Sequence, residues 1–108
     1  MTSFRVELTE AAERDLDLLI DHIAQDSPTA AARLLSQLRT RIDALESFPE
    51  RGTYPKELDA LGIRNYRQLN FGVYRLVYRL SGKTVYVLLI ADGRRDMITL
   101  LQQRLLSA

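Results

Sequence analysis

The sequence contains no cysteine and a single histidine. The missing cysteine excludes disulfides, thiolate metal sites and cysteine nucleophiles. The one imidazole, His22, lies roughly 100° away from the apolar stripe of a predicted helix, so we expect it to be exposed. Because no second histidine or carboxylate cluster accompanies it, we expect no metal site and no cofactor.

Long apolar runs and glycine-rich loops are missing as well. The five glycines are spread along the chain, and none forms part of a phosphate-binding loop pattern. No apolar segment is long enough to span a membrane, and residues 1–16 do not resemble a signal peptide. We therefore expect a cytoplasmic protein with no membrane partner. A chain of 108 residues predicts a single domain, residues 1–108, with one modest core.

Charge is distributed unevenly between the two halves of the chain. Residues 1–59 carry twelve acidic and seven basic residues, a balance of −5, whereas residues 60–108 carry two acidic and eight basic residues, a balance of +6. The basic half predicts an anionic partner, either nucleic acid or an acidic protein segment. Alternatively, the two halves neutralise each other across the fold. Six of the eight bases are arginines in or beside the predicted strands: Arg64, Arg67, Arg75, Arg79, Arg94 and Arg95.

The first half of the chain predicts a short strand at residues 3–8 and then two helices. Thr9 is a suitable N-cap for the first helix, and Ser27 followed by Pro28 is a typical start for the second. The second helix is predicted to run to about Phe48. Because the link is so short, the two helices should form an antiparallel hairpin. The apolar residues at helical spacing are Ala12, Leu16, Leu19, Ile20 and Ile23, then Ala31, Leu34, Leu35, Leu38, Ile42, Leu45 and Phe48.

The second half predicts three strands and a final helix. Residues 49–63 contain two prolines and two glycines, which indicates a surface connection with at most one helical turn. Extended structure follows at 64–71 and again at 73–80, where one face carries Tyr74, Leu76, Tyr78 and Leu80 and the other carries Val73, Arg75, Val77 and Arg79. Residues 85–91 are apolar on both faces, as in a central strand. Asp96 is a suitable cap for the last helix, whose apolar side carries Met97, Ile98, Leu101 and Leu105.

The arginines are the main candidates for function, because no serine triad or carboxylate dyad can be assembled. Asp92 is expected to end a strand and Asp96 to cap a helix. Arg75 and Arg79 share one face of their strand, and the neighbouring strand is covered on both faces. At least one of the two should therefore pair with a carboxylate or pack its stem against the core. The interleaved tyrosines either fill a half-buried sheet or stack on nucleobases: Tyr66, Tyr74, Tyr78 and Tyr86.

Several motifs carry a resemblance to a known family. The chain contains IAQDSPTAAARLLSQLRTRIDALESFPERG, then IRNYRQLNFGVYRLVYRL and VLLIADGRRD. Its most specific parts are the D-x-P-x-A-A helix start with an L-x-x-F-P end, and a YR-hydrophobic-hydrophobic-Y strand followed by GRRD. Over nearly its whole length the chain resembles the RelE/ParE superfamily of toxins from type II toxin–antitoxin modules.

The resemblance implies an α+β fold. It would consist of an N-terminal strand, an antiparallel helix hairpin, a three-stranded, mainly antiparallel sheet and a short C-terminal helix. It also implies a cognate antitoxin whose largely disordered tail folds onto the toxin and forms a hetero-oligomer with it.

One branch of the superfamily, the RelE type, cleaves messenger RNA on the ribosome without a metal. By resemblance, Arg75 and Arg95 match arginines that hold phosphate in that branch. Where its lysines would stand, residues 66–68 of this chain are Tyr-Arg-Gln, and positions 100–101 are leucines in place of a late tyrosine or histidine. Arginine is a poor general base because its pKa is far above neutrality. The phosphate-holding groups are therefore present, and the proton-transfer groups are missing.

The other branch, the ParE type, inhibits DNA gyrase by binding it. The long helix hairpin favours this branch, so we predict a gyrase-inhibiting toxin that causes growth arrest and serves plasmid stabilisation. The alternatives are a ribosome-dependent mRNA endonuclease and a non-toxic nucleic-acid-binding module. The last helix has more leucines than one face needs, so we expect part of it to be covered by antitoxin or mobile. The candidate functional arginines are Arg75, Arg94 and Arg95, and the candidate partner-binding residues are Arg64, Arg67, Arg79, Leu101 and Leu105.

Overall fold

The computed structural model describes residues 3–106, apart from the side chain of residue 106. The elements are β1 (Arg5–Leu8), α1 (Glu10–Asp26), α2 (Pro28–Asp43), a 3₁₀ turn (Ala44–Glu46), α3 (Lys56–Asp59), β2 (Arg67–Phe71), β3 (Tyr74–Ser81), β4 (Thr84–Asp92) and α4 (Met97–Leu106). This order confirms the predicted α+β architecture. Within the described residues, no helix is both long enough and apolar enough to cross a bilayer.

The sheet has four strands in the order β1-β4-β3-β2. Strands β2, β3 and β4 are antiparallel neighbours, which gives the predicted three-stranded sheet. Strand β1 pairs with β4 in parallel and forms one edge of the sheet. After β1 the chain passes through the helices and returns to the sheet at its opposite edge, as β2.

The helix hairpin starts at the two predicted caps. The Thr9 hydroxyl accepts a hydrogen bond from the Ala12 amide at 3.2 Å, and the Ser27 hydroxyl accepts one from the Ala30 amide at 3.1 Å. Only Ser27 separates α1 from α2, which confirms the antiparallel hairpin. The hairpin covers one face of the sheet through a shared core: Ala12, Ile42, Leu45, Leu76, Tyr78, Val85, Val87 and Ile90.

The second helix is shorter than predicted. It ends at Asp43 and tightens into the 3₁₀ turn, in which the Ala44 carbonyl accepts from the amides of Ser47 and Phe48 at 3.3 and 3.0 Å. Phe48 is 64% exposed, so its assignment to the apolar stripe is wrong. Two causes act together: Pro49 disfavours a helical conformation at the preceding residue, and the tighter turn rotates Phe48 away from the stripe.

The opposite face of the sheet is covered by α3 and α4. Leu58 from α3 and Met97 and Leu101 from α4 pack on the sheet residues Val77, Leu89 and Ala91. The centre of β4 is therefore buried on both faces, as its apolar sequence predicted. Helix α3 is the single helical turn expected within residues 49–63.

Strand β4 contains a bulge that the sequence did not reveal. Its pairing with β3 changes from Val77 opposite Leu89 to Tyr78 opposite Val87, so Leu88 is an extra residue. The pairing of β1 with β4 also ends at Val87. From the bulge onward, β4 therefore has no strand partner on the β1 side.

An ion pair between Asp15 and Arg104, here called the edge clasp, covers this part of β4. Asp15 accepts the Ile90 amide at 3.0 Å, and Arg104 Nη1 donates to the Leu88 carbonyl at 2.7 Å. The two side chains pair with each other at 2.7 Å. Since α1 and α4 lie on opposite faces of the sheet, the edge clasp joins the two layers around its edge.

Removing the clasp should loosen α4 selectively. In Arg104→Gln, loss of the charged hydrogen bonds is expected to cost about 2 kcal/mol, or roughly 30-fold faster amide exchange in α4. Hydrogen exchange followed by mass spectrometry measures this directly, with strands β3 and β4 as an internal reference. Arg33→Gln, which removes an exposed charge from α2, is the matched control. Unchanged exchange in α4 would show that apolar packing alone holds the helix.

Candidate functional site

Arg75 is turned into the fold and is 9% exposed. Its guanidinium forms two hydrogen bonds of 2.8 Å with the Glu57 carboxylate on α3. It also donates to Gln68 Oε1 on β2, through Nε at 2.9 Å and through Nη2. The prediction that one of the strand arginines pairs with a carboxylate is confirmed at Arg75.

The Arg75–Glu57 pair is almost completely enclosed, with side-chain exposures of 10% and 11%. Hydrogen bonding from Arg75 lowers the pKa of Glu57, and burial opposes this only in part. Among the described residues, no buried side-chain nitrogen or oxygen lacks a hydrogen-bond partner. Each charge is therefore stable in the interior only because the other is present.

Gly93 packs directly on the stem of Arg75. A Cβ atom at this position would lie 2.7 Å from Cδ and 2.9 Å from Cγ of Arg75. The Gly93 amide also donates to the Val73 carbonyl at 2.7 Å. The YR strand and the GRRD turn, two motifs far apart in the sequence, thus meet through packing.

The remaining residues of the GRRD turn point outward. Arg94 is 74% exposed at its side chain and pairs with Asp92 at 2.6 Å, and this hydrogen bonding lowers the pKa of Asp92 to about 2. Asp96 caps α4 by accepting the Thr99 amide at 3.1 Å, as predicted. Arg95 is exposed and has no carboxylate within salt-bridge distance among residues 3–106.

Arg94 and Arg95 line a groove of about 620 Å³, here called the α1 groove. It runs between α1, the start of α2 and the end of β4, and its walls include Leu18, His22 and Tyr74. Sequence reasoning missed His22 as a neighbour of these arginines. The sequence did contain a signal that His22 belongs to this surface: it lies four residues after Leu18, so the two side chains share one face of α1.

The three predicted partner-binding arginines, Arg64, Arg67 and Arg79, come together elsewhere. They line a second cavity of about 340 Å³, here called the arginine cavity, beside Tyr66 and Glu50. Arg75 is not among its lining residues. The two arginines of β3 therefore lie in different environments: Arg79 lines this cavity, and Arg75 is buried beside Glu57.

The two predicted partner-binding leucines of α4 differ in exposure. Leu101 is 1% exposed and belongs to the core, because it packs on the sheet with Met97. Leu105 is half-buried and lines an apolar groove of about 460 Å³. Leu61 and Ile98 line the same groove and are 72% and 59% exposed.

Tyr78 is unavailable for stacking on a nucleobase, since it is 0% exposed. Its hydroxyl accepts the Gly52 amide at 3.0 Å, and burial raises its pKa. Tyr66, Tyr74 and Tyr86 are half-buried. For Tyr78, the interpretation as a sheet-filling residue is therefore correct.

The order of the elements is the one expected for the RelE/ParE superfamily. Residues 6–97 match the family described as the ParE toxin of the type II toxin–antitoxin system parDE. Because the match covers most of the sequence, the chain belongs to the ParE toxin family.

Two curated relatives are similar over part of their length. The chain is 44% identical over 48 residues to Toxin RelE2 of Caulobacter vibrioides, a match covering 44% of this chain and 54% of the relative. It is 38% identical over 52 residues to Putative toxin Y4kP of Sinorhizobium fredii, covering 48% of this chain and 54% of the relative. The chain thus matches about half the length of these relatives.

Two solved structures share the fold. A chain of the chromosomal ParDE system from P. aeruginosa superposes with a TM-score of 0.68 at 21% identity, covering 83% of this chain and 96% of that one. A chain of the RelBE2 toxin–antitoxin complex from Mycobacterium tuberculosis gives 0.57 at 24% identity, covering 84% and 99%. The same fold therefore occurs in systems named for either branch.

A double-mutant cycle should show that Arg75 and Glu57 depend on each other. Arg75→Met leaves Glu57 buried without its partner, and Glu57→Leu leaves Arg75 without its own, so we expect each single variant to lose about 3–5 kcal/mol in the free energy of unfolding. The double variant Arg75→Met/Glu57→Leu should recover most of that loss, because no charge stays buried. Urea denaturation measures all the variants. Additive losses would contradict a coupled pair.

Acid should remove the contribution of Glu57. Its ordinary pKa of 4.5 is lowered in the fold. As the pH falls below 4.5, the unfolded chain takes up a proton that the folded chain does not, so stability is lost. The difference in unfolding free energy between wild type and Glu57→Gln should be constant near neutrality and shrink in acid. A difference that stays constant down to pH ~3 would contradict this.

Proposed function

We propose that the protein is a type II toxin that inhibits DNA gyrase by binding it and is neutralised by a cognate antitoxin. The observation that supports inhibition by binding is the internal pairing of Arg75. All the hydrogen bonds of its guanidinium described above are made to Glu57 and Gln68. Because its guanidinium is occupied by these hydrogen bonds, Arg75 is not available to bind the phosphate of a substrate.

The neighbouring positions also argue against catalysis. Cleavage by a ribose hydroxyl needs groups that take up and release protons. At the positions where the ribonuclease branch has lysines, Gln68 accepts from Arg75, and Arg67 donates to the carbonyls of Glu50 and Gly52 at 3.2 and 2.9 Å. These side chains hold the fold together and have no group that titrates near neutrality.

The α1 groove is the surface we propose for contact with gyrase. Arg95 is exposed there without a carboxylate partner among the described residues, and Leu18 beside it is 67% exposed. Arginine and aromatic side chains around an apolar patch are typical of residues that dominate protein–protein binding energy. Arg95 and Tyr74 supply those groups.

The antitoxin contact that we propose involves Leu105 and Ile98 of α4 together with Leu61, which follows α3. Together they form an apolar groove with large exposed side chains, a surface that a segment folding on binding can cover. Leu101 contributes only from the floor of this groove, because it is buried. The proposed assembly is a toxin–antitoxin hetero-oligomer.

A second candidate function, ribosome-dependent cleavage of messenger RNA, is favoured by the position of His22. Its imidazole lines the α1 groove together with Arg94 and Arg95. Histidine is the side chain whose ordinary pKa suits proton transfer at neutral pH. In this alternative His22 would serve as the base and Arg95 would hold phosphate, without Arg75.

Expression of the protein without an antitoxin should separate the two candidates. We expect blocked negative supercoiling and a DNA-damage response while translation continues. The purified protein should inhibit supercoiling of relaxed plasmid by gyrase and leave a cell-free translation reaction intact. Rapid cleavage of ribosome-bound mRNA would contradict the gyrase proposal, and the absence of any growth defect would contradict both candidates.

Point variants should then locate the gyrase contact. Arg95→Ala is expected to raise the inhibitory concentration about tenfold or more, the usual effect of losing a dominant interface arginine. Arg33→Ala on α2 is the charge-matched control and should inhibit like wild type. Cleavage of ribosome-bound mRNA by the wild type that is lost in His22→Gln with an unchanged fold would instead favour the ribonuclease.

A further inference from the structure

The arginine cavity has a surplus of positive charge. Its lining contains three arginines and one acidic residue, Glu50, and among the described residues Arg64 is the one arginine of the three that pairs with a carboxylate, that of Asp59, at 2.9 Å. That pair is 65% and 42% exposed, so it is weak and easily exchanged for another anion. Among the described residues, Arg67 and Arg79 have no carboxylate within salt-bridge distance. Arg67 already donates to the Glu50 and Gly52 carbonyls and to the Tyr54 hydroxyl, so it adds positive charge to the cavity, and Arg64 and Arg79 are the side chains that can contact an anion.

Aromatic rings hold these guanidinium groups in place. Arg79 lies over the Tyr86 ring at 5.6 Å from its centroid. Arg64 and Arg67 both lie over the Tyr54 ring, at 5.1 and 4.7 Å. Planar cations oriented in this way lose little conformational entropy when they bind an anion.

Backbone pairing beside the cavity disfavours an added peptide strand. Gln68, which follows Arg67 on the edge strand β2, already exchanges two hydrogen bonds with Thr53, at 3.0 and 2.7 Å. An extended peptide recognised through its main chain would need those same groups. The cavity thus presents side-chain cations, with the neighbouring main-chain donors and acceptors already in use.

We propose that the arginine cavity is a binding site for the phosphate backbone of nucleic acid. Guanidinium groups match phosphate oxygens in geometry and charge. The half-buried ring of Tyr66 in the cavity wall offers a surface on which a base can stack. This site is separate from the α1 groove, so the proposal does not depend on whether gyrase or the ribosome is the target.

The test is binding of a fluorescently labelled single-stranded oligonucleotide to the purified full chain, followed by anisotropy at several salt concentrations. The informative variant is Arg64→Gln/Arg79→Gln, since both side chains are exposed and Arg67 keeps its structural contacts. Each lost phosphate contact should reduce the salt slope by about 0.7 and, in 0.1 M salt, the affinity by about fivefold. The double variant should therefore bind about 25-fold more weakly.

Two controls make the result decisive. Arg33→Gln removes a charge outside the cavity and should bind like wild type, and thermal unfolding checks that every variant is folded. The proposal would be overturned if Arg33→Gln lost as much affinity for the oligonucleotide as the double variant does, or if the double variant bound it as tightly as wild type. Displacement of the oligonucleotide by a polyglutamate peptide or by inorganic phosphate at equal charge concentration would overturn it as well. Comparing the affinities for single-stranded DNA and RNA of the same sequence identifies which nucleic acid the cavity prefers.

Discussion

The buried ion pair between Arg75 and Glu57 is the contact on which the second half of the protein depends. It joins β3 to the short helix α3, and Gln68 extends the same network to β2. Helix α3 has only four residues and a single buried leucine, Leu58, so apolar packing alone holds it weakly. The buried pair fixes the position of α3 against β3, because neither Arg75 nor Glu57 is stable in the interior without the other.

The same arginine also positions the outward-facing residues. Its stem occupies the space in which a side chain at position 93 would lie, and Gly93 closes over it. The turn that follows directs Arg94 and Arg95 toward the α1 groove. Arg75, the strongest candidate for a functional residue in the sequence, is therefore buried and stabilises the fold. It also helps to position Arg94 and Arg95, which are exposed and which we propose to contact the target.

Local signals predicted the elements well. The caps at Thr9, Ser27 and Asp96 and the spacing of apolar residues determine where helices begin and which faces are buried, and all of these are short-range properties. The partners of the charged side chains were not predictable in the same way. Arg75 and Glu57 are 18 positions apart and Arg104 and Asp15 are 89 apart, so only the tertiary fold brings them together. The bulge at Leu88 likewise leaves no local signal in an apolar strand.

The charge asymmetry of the sequence has a mixed outcome. Three ion pairs join the acidic half to the basic half: Arg64 with Asp59, Arg75 with Glu57, and Arg104 with Asp15. Part of the asymmetry is therefore neutralised within the fold. Arg67, Arg79 and Arg95 have no carboxylate partner among the described residues, and they lie in the α1 groove and the arginine cavity, the surfaces to which we assign target and nucleic-acid binding.

The central claim is that Arg75 supports the structure and takes no part in attacking a target. The most direct test is growth inhibition by the variant Arg75→Met/Glu57→Leu, expressed without antitoxin and checked for folding by circular dichroism. We expect this variant to be folded and to arrest growth as wild type does, because the buried pair is replaced by apolar side chains of similar size. A variant that is folded but harmless would contradict the account, since it would show that the guanidinium of Arg75 is itself needed for toxicity.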